Sequence, residues 1–375
     1  MTPATTSDEF ADRFPRAYAV FAAGVAKGLH LGAQVYLSVE GRVLADAGLG
    51  QAQPGEPMTA AQRTHWLSAG KPLTAVLIAQ LVEEGRLAWH DPVARYIPEF
   101  AQHGKEQITL KHVLTHTAGL RNVETGWPDV PWEETLARIC AAPLDSGATP
   151  GQTAGYHVAS TWFLLGELIQ RLTGRTYEEV LRERLCVPCG MPRTLAAIPE
   201  RERAQLAIAP LFERREGRLM LLDWHLPPRS DRVSPGSSLR GPIRELGRFY
   251  EVLLQQGRGP HGRVLRPETV AELLTRHRSG QYDATFGHIV DFGLGFLLDS
   301  NRYGAQTVPY GYGRHCSPRT FGHGGSQSSQ GFGDPDRQLA VAWLFNGRCG
   351  EGQHQRRNKA FNEALYEDVG LARTS

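Results

Sequence analysis

The chain has 375 residues, 41% hydrophobic and 21% charged, with a formal net charge of +2. That length serves one large domain or two smaller ones, and the composition is that of an ordinary globular protein. Acid and base are interleaved, so no nucleic-acid or membrane surface is implied, and no run reaches the ~18 apolar residues of a membrane span.

The first ten residues carry neither a basic segment nor an apolar one, which predicts no signal peptide. Five cysteines, Cys140, Cys186, Cys189, Cys316 and Cys349, are an odd number, so free thiols and a cytoplasmic location are expected. Residues 8–28 read as an amphipathic helix, with Phe10, Phe14, Tyr18, Phe21 and Val25 on one stripe. Residues 33–39 and 42–47, joined at Glu40-Gly41, read as a β-hairpin, and 48–57 as a loop. In 66–82, Leu73, Val76, Leu77, Leu81 and Val82 recur near a 3.6 period, which predicts a helix capped by Gly85. Thr109 caps a further helix that Gly119 ends. Helices are also expected over 131–140, 161–173, 176–185, 244–256, 267–276 and 357–369. Short strands are expected over 292–298, 320–323, 328–333 and 339–345, the last two a hairpin turned at Asp334-Pro335-Asp336-Arg337. The fold class is therefore α+β, an α/β sandwich over residues 8–375. One antiparallel sheet draws on 8–91 and 240–375, helices flank it, and 92–239 is a mostly helical insertion.

Three stretches carry chemistry. Ser68 and Lys71 rise from one face of a helix start. A desolvated lysine amine can take the proton that makes a serine nucleophilic, whereas a capping serine beside a solvated lysine would do nothing. Tyr156 ends the loop 150–155 just before a helix. Held beside a lysine ammonium, its phenol would have a lowered pKa and act as base and acid; otherwise it is a buried aromatic. In Phe321-Gly322-His323-Gly324-Gly325-Ser326, small residues let a substrate carbonyl approach the backbone, and an N–H there could form an oxyanion hole with that of Ser68. Two other patterns read as structural. Cys186 and Cys189 form a lone C-x-x-C without a second zinc-ligand pair, and His112 and His116 lack the glutamate of a zinc-protease motif.

In this order the stretches resemble the serine β-lactamase and penicillin-binding-protein superfamily, specifically its class C β-lactamase-like branch with many esterases and D-amino-acid amidases. Ser68-Ala69-Gly70-Lys71 stands for S-x-x-K, Tyr156-His157-Val158 for Y-x-N and His323-Gly324-Gly325 for K-T-G or H-x-G. Residues 114–120 and 331–335 resemble the family too. The resemblance implies that Ser68 is the acylated nucleophile and that Lys71 and Tyr156 are the proton-transfer pair, with either as acylation base. It implies that the Ser68 and Ser326 N–H groups form the oxyanion hole, and that His323, Gly324, Gly325 and His157 contact substrate. Val158 replaces the asparagine that helps hold an antibiotic's acylamino group, and His323 replaces a permanent cation.

The expected function is a serine hydrolase that cleaves a carboxylic ester through an acyl-Ser68 intermediate, with no metal or cofactor. A transacylase passing the acyl group to an amine or alcohol is the alternative. A β-lactamase or D-amino-acid amidase or peptidase, and a protein that only binds ligands, come after it. The expected partner is a small-molecule ester or amide, with no nucleic acid or membrane; the sequence leaves oligomeric state open. Loops 121–132 and 301–319 would shape the pocket. Trp127, Trp132, Trp224 and Tyr312 read as packing residues that could instead line it.

Overall fold

The computed structural model describes residues 4–373; the first three residues of the N-terminal stretch and the last two of the chain lie outside it. Ten helices carry the labels used below: α1 (Ser7–Arg13), α2 (Pro15–Ala26), α3 (Lys71–Glu83), α4 (Leu110–Leu114), α5 (Trp132–Ala141), α6 (Ser160–Thr173), α7 (Tyr177–Leu181), α8 (Ile243–Leu254), α9 (Pro267–Leu274) and α10 (Glu351–Asp368). The main sheet has eight strands: β1 (Gly32–Val39), β2 (Arg42–Gln53), β3 (Glu56–Pro57), β4 (Asp291–Phe292), β5 (Leu297–Leu298), β6 (Phe321–Gly325), β7 (Ser329–Asp334) and β8 (Leu339–Phe345). Their order is β4-β5-β6-β7-β8-β1-β2-β3, antiparallel throughout. Strands from the two ends of the chain meet where Val35 pairs Trp343 and Leu37 pairs Val341.

Both faces of this sheet are covered, which explains the unbroken apolar run of β8. Side chains alternate between the faces with a period of two. Val35, Leu37, Val341, Trp343 and Phe345 pack with Phe10 of α1, Phe14 at the junction, Phe21 of α2, and Phe361 and Leu365 of α10. Tyr36, Ala340, Ala342 and Leu344 share the other core with α3, α6 and α8. Each large apolar side chain buried there contributes on the order of 1.5–3 kcal/mol.

Several boundaries differ from expectation for local reasons. Pro15 has no N–H to continue α1, so it starts α2 instead, and Val25 is 40% exposed rather than on the buried stripe. The expected loop at 48–57 is mostly strand: β2 runs to Gln53 and returns as β3 through Gly55 at φ +84°. The helix capped by Thr109 stops at Leu114, because His116 takes φ +58°. The run 292–298 splits into β4 and β5 around Gly295 at φ +81°. After α7 the chain winds as a π-type turn, Arg182–Cys186. The last helix begins at Glu351, six residues early, because its first turn is polar and shows no apolar period. Within 92–239 lies a hairpin, Phe212–Arg215 with Arg218–Leu221, that pairs with Gly347–Arg348. All five thiols are buried and unpaired, Cys186 and Cys189 included. No helix among the described residues is long and apolar enough to cross a membrane.

Candidate active site

Ser68 does not sit on α3 itself but in the 3₁₀ turn Leu67–Gly70 that leads into it. Leu67 takes φ +55°, a conformation costly for a leucine, and this kink swings the turn toward the sheet. Trp66 pins the turn from three sides. Its N–H donates to Leu239, its indole donates to Gly241 at 2.9 Å, and its carbonyl accepts from Ser329 Oγ at 2.6 Å. Gly325 does not line the cavity as expected; a Cβ there would strike Ser329 and the Trp66 carbonyl, so glycine lets β6 lie against the serine turn.

Lys71 is fully buried. Its Nζ lies 3.1 Å from Ser68 Oγ and 2.8 Å from each of the carbonyls of Val158 and Gly236. Burial holds its pKa well below the usual lysine value. A neutral amine has two hydrogens and one lone pair. Two carbonyls can only accept, so they take both hydrogens and leave the lone pair for the Ser68 hydroxyl. Gly236 was not among the predicted residues. Its carbonyl is presented by a turn in which Ser238 Oγ accepts from Ser234 N–H and Thr74 Oγ1 donates to the Pro235 carbonyl. A Cβ on Gly236 would sit 2.9 Å from Trp162 and 3.2 Å from Lys71 Nζ.

Tyr156 faces the same cavity, with the Lys71 Nζ 5.3 Å from its ring centre. Its pKa is raised, not lowered as expected. Burial is the largest influence, the nearby Ser68 hydroxyl draws it down less, and the Lys71 amine spends its hydrogens elsewhere. The phenol oxygen meets no hydrogen-bond partner among the described residues and stays protonated. Asp283, absent from the sequence reading, positions it. Its Oδ1 accepts from the N–H groups of Tyr156, Thr285 and Phe286 at 2.9–3.0 Å, and Arg278 stands 3.0 Å from Oδ2, an ion pair off the line of a hydrogen bond.

His323 lines the cavity and is neutral. Its pKa falls to about 3, through burial first and the Lys71 charge second. Its Nδ1 lies 2.7 Å from the Gly324 carbonyl, which fixes the N–H there and leaves Nε2 an acceptor. His157, expected at the substrate, turns away. Its Nε2 accepts from the Leu120 N–H at 3.0 Å and its Nδ1 meets His116 Nδ1 at 3.2 Å. His116 in turn accepts from the His157 N–H at 3.0 Å and packs against the Tyr156 ring at 4.6 Å between centroids. Both histidines are support for the tyrosine. Their i, i+4 and Tyr-His spacings gave no sign of it, because the φ +58° at His116 is a tertiary effect. Among the described residues no acidic, histidine or cysteine group is arranged to hold a metal.

The cavity has a volume of about 510 Å³ and is lined by Ser68, Tyr156, His323, Gly324 and Ser326. The backbone N–H groups of Ser68 and Ser326 meet no acceptor among the described residues. Of the four aromatics considered, Trp127 and Trp224 sandwich Arg229, Trp132 donates to Glu167, and Tyr312 is core; none lines the cavity.

A serine backed by a buried amine, on a sheet of this topology, defines a serine hydrolase of the penicillin-binding-protein and β-lactamase fold. The chain belongs to the beta-lactamase family, whose model matches residues 18–365. It is 28% identical over 287 residues to penicillin-binding protein 4 of Amycolatopsis lactamdurans, covering 75% of this chain and 71% of that protein. It is 25% identical to the esterase/beta-lactamase LipL of Mycobacterium tuberculosis, covering 74% and 68%. The solved structure of a penicillin-binding-protein homologue from Caulobacter crescentus superposes with a TM-score of 0.72 at 28% identity, over 95% of this chain and 98% of that one.

Proposed function

We propose that this protein cleaves carboxylic esters through an acyl group carried on Ser68, and that it does so in the cytoplasm, where its five unpaired thiols would stay reduced. The carrying observation is the position of the buried Lys71 Nζ, 3.1 Å from Ser68 Oγ and 2.8 Å from each of the Val158 and Gly236 carbonyls; as the neutral amine that burial favours, it gives both hydrogens to the carbonyls and turns its lone pair to Ser68. Lys71 takes the Ser68 proton as Oγ attacks the ester carbonyl. The oxyanion forms against the N–H groups of Ser68 and Ser326. Tyr156, still protonated, gives its proton to the leaving alkoxide and regains one from the Lys71 ammonium. Water then attacks the acyl-enzyme; an amine or alcohol admitted to the cavity would take the acyl group instead.

The charge of the cavity favours esters over β-lactams and cell-wall peptides, which carry carboxylates. Glu351 lines it and accepts from Tyr310 Oη at 3.1 Å, while His323 is neutral. Arg348 reaches Ser326 Oγ at 3.3 Å but is paired with Glu213. Among aryl esters of matched size, those with a neutral or ammonium-bearing acyl chain should give a kcat/KM about tenfold above a carboxylate-bearing one. Glu351→Gln should narrow that gap; an unchanged ranking would remove Glu351 from specificity.

The reading as a whole is tested by intact-protein mass after a fluorophosphonate and a short-chain p-nitrophenyl ester. One adduct mapping to the Ser68 peptide, with release of free acid, is the expected result. Acceptor adducts in place of free acid would make the protein a transacylase, and rapid nitrocefin turnover would make it a β-lactamase. No adduct on folded protein would leave a binding protein.

A further inference from the structure

Arg357, on α10, is a buried cation without an anion. Its side chain meets no carboxylate among the described residues. It contacts His30 Nδ1 at 3.0 Å, His354 Nδ1 at 3.5 Å, the carbonyls of Gln327 and Gly347 at 2.9 and 3.2 Å, and the Phe345 ring at 4.4 Å. Burial lowers its pKa to about 10, so it stays charged at neutral pH, while His30 and His354 are held neutral by burial and by Arg357 itself. Taking a cation out of water with no anion beside it is costly, so its field acts undiminished on the groups it touches.

Its hydrogen bonds lead to the oxyanion hole. Arg357 Nη2 donates to the Gln327 carbonyl. The N–H of that same peptide, on Ser328, donates to the Gly325 carbonyl at 3.0 Å. The N–H of the Gly325 peptide is that of Ser326, a residue that lines the Ser68 cavity and whose N–H meets no acceptor among the described residues. Gln327 takes φ +56°, the left-handed turn within which Ser328 N–H reaches Gly325. Each peptide in such a row is polarised by the one before it, by about 10–30% per bond. We propose that Arg357 is a positioning residue for acyl transfer, which polarises the Ser326 N–H through two peptide groups and so strengthens the oxyanion hole. The proposal rests on the ester-hydrolase reading, since it needs an oxyanion at Ser326.

The test compares wild type with Arg357→Met and Arg357→Lys, using a short-chain p-nitrophenyl ester as substrate and phenylboronic acid as a tetrahedral mimic. Thermal melting confirms that each variant is folded. Arg357→Met is expected to lower kcat about tenfold with KM within about twofold, and to weaken phenylboronic acid about tenfold. Arg357→Lys, which keeps the charge, should recover most of both. A folded Arg357→Met with kcat and boronate affinity within twofold of wild type overturns the proposal, as does a lysine variant no better than methionine. If methionine fails to fold, Arg357→Gln against Arg357→Lys makes the same comparison. A wild type that neither turns over ester nor forms an adduct would instead sink the ester-hydrolase reading.

Discussion

Replacing Lys71 with methionine is expected to lower kcat/KM for a p-nitrophenyl ester by roughly 10²–10⁴-fold, the range of a lost general base, while raising Tm. Both effects have one source. The Lys71 side chain is wholly buried among Ser68, Val158 and Gly236, and Trp162 lies 5.2 Å away. Burial disfavours the ammonium, so the folded pKa lies well below that of free lysine. Between the two pKa values the unfolded chain binds a proton that the native protein does not, and stability rises with pH across that window. Methionine carries no such dependence. Its stability advantage should therefore be greatest on the acid side of the window and fade as pH approaches the ordinary lysine value. The wild-type rate should rise with pH as Lys71 loses its proton, and that acid limb should vanish from the residual rate of the variant. Melting curves and pH–rate profiles on both proteins check this. A Lys71→Met enzyme at wild-type rate would move the base elsewhere, with Tyr156 next.

The Ser68–Lys71 pair was legible because its chemistry is local. Two side chains three residues apart on one helical face meet wherever the helix packs, and only the entry kink at Leu67 lay outside the pattern. Tyr156 was legible as the end of a loop, but its pKa direction was not, because burial in the folded protein sets it first and the neighbouring Lys71 amine spends its hydrogens on carbonyls. One goes to the Gly236 carbonyl, 165 residues away in the chain. A backbone carbonyl leaves no side-chain signature, and the small residues of 234–238 look like any turn. The resemblance places His157 at the substrate as the second residue of the Tyr156-His157-Val158 motif. Adjacent residues on an extended backbone point to opposite sides, so Tyr156 in the cavity puts His157 in the wall. The sheet was legible from β-branched and aromatic runs at both ends of the chain. Glycine-mediated bends such as Gly295 were not, since a glycine marks freedom to turn without saying where the turn goes.

Asp283→Ala should be the most damaging change outside the reacting groups, at about 3–5 kcal/mol of stability, the cost of leaving a buried charge without its partner. Arg278 is almost wholly buried beside it, stacked 4.2 Å over Phe292, and its hydrogen bonds run to the carbonyls of Thr115 and Val290. Alanine would also free three N–H groups at once, those of Tyr156, Thr285 and Phe286. Two of these segments line the cavity, so the Tyr156 phenol should lose its place and kcat should fall even in the molecules that remain folded. Asp283→Asn separates the two roles. Its amide oxygen can still accept from the Tyr156 N–H, while the charge opposite Arg278 is gone. Stability should therefore drop nearly as far as in alanine, but kcat per folded molecule should stay closer to wild type. The double change Arg278→Met with Asp283→Asn removes both charges and should recover much of the lost stability. Chemical denaturation of the three variants, with active-site titration by fluorophosphonate, measures both quantities. If Asp283→Ala melts with wild type, the ion pair is not what holds the tyrosine, and the His116–His157 contact behind its ring must carry that role alone.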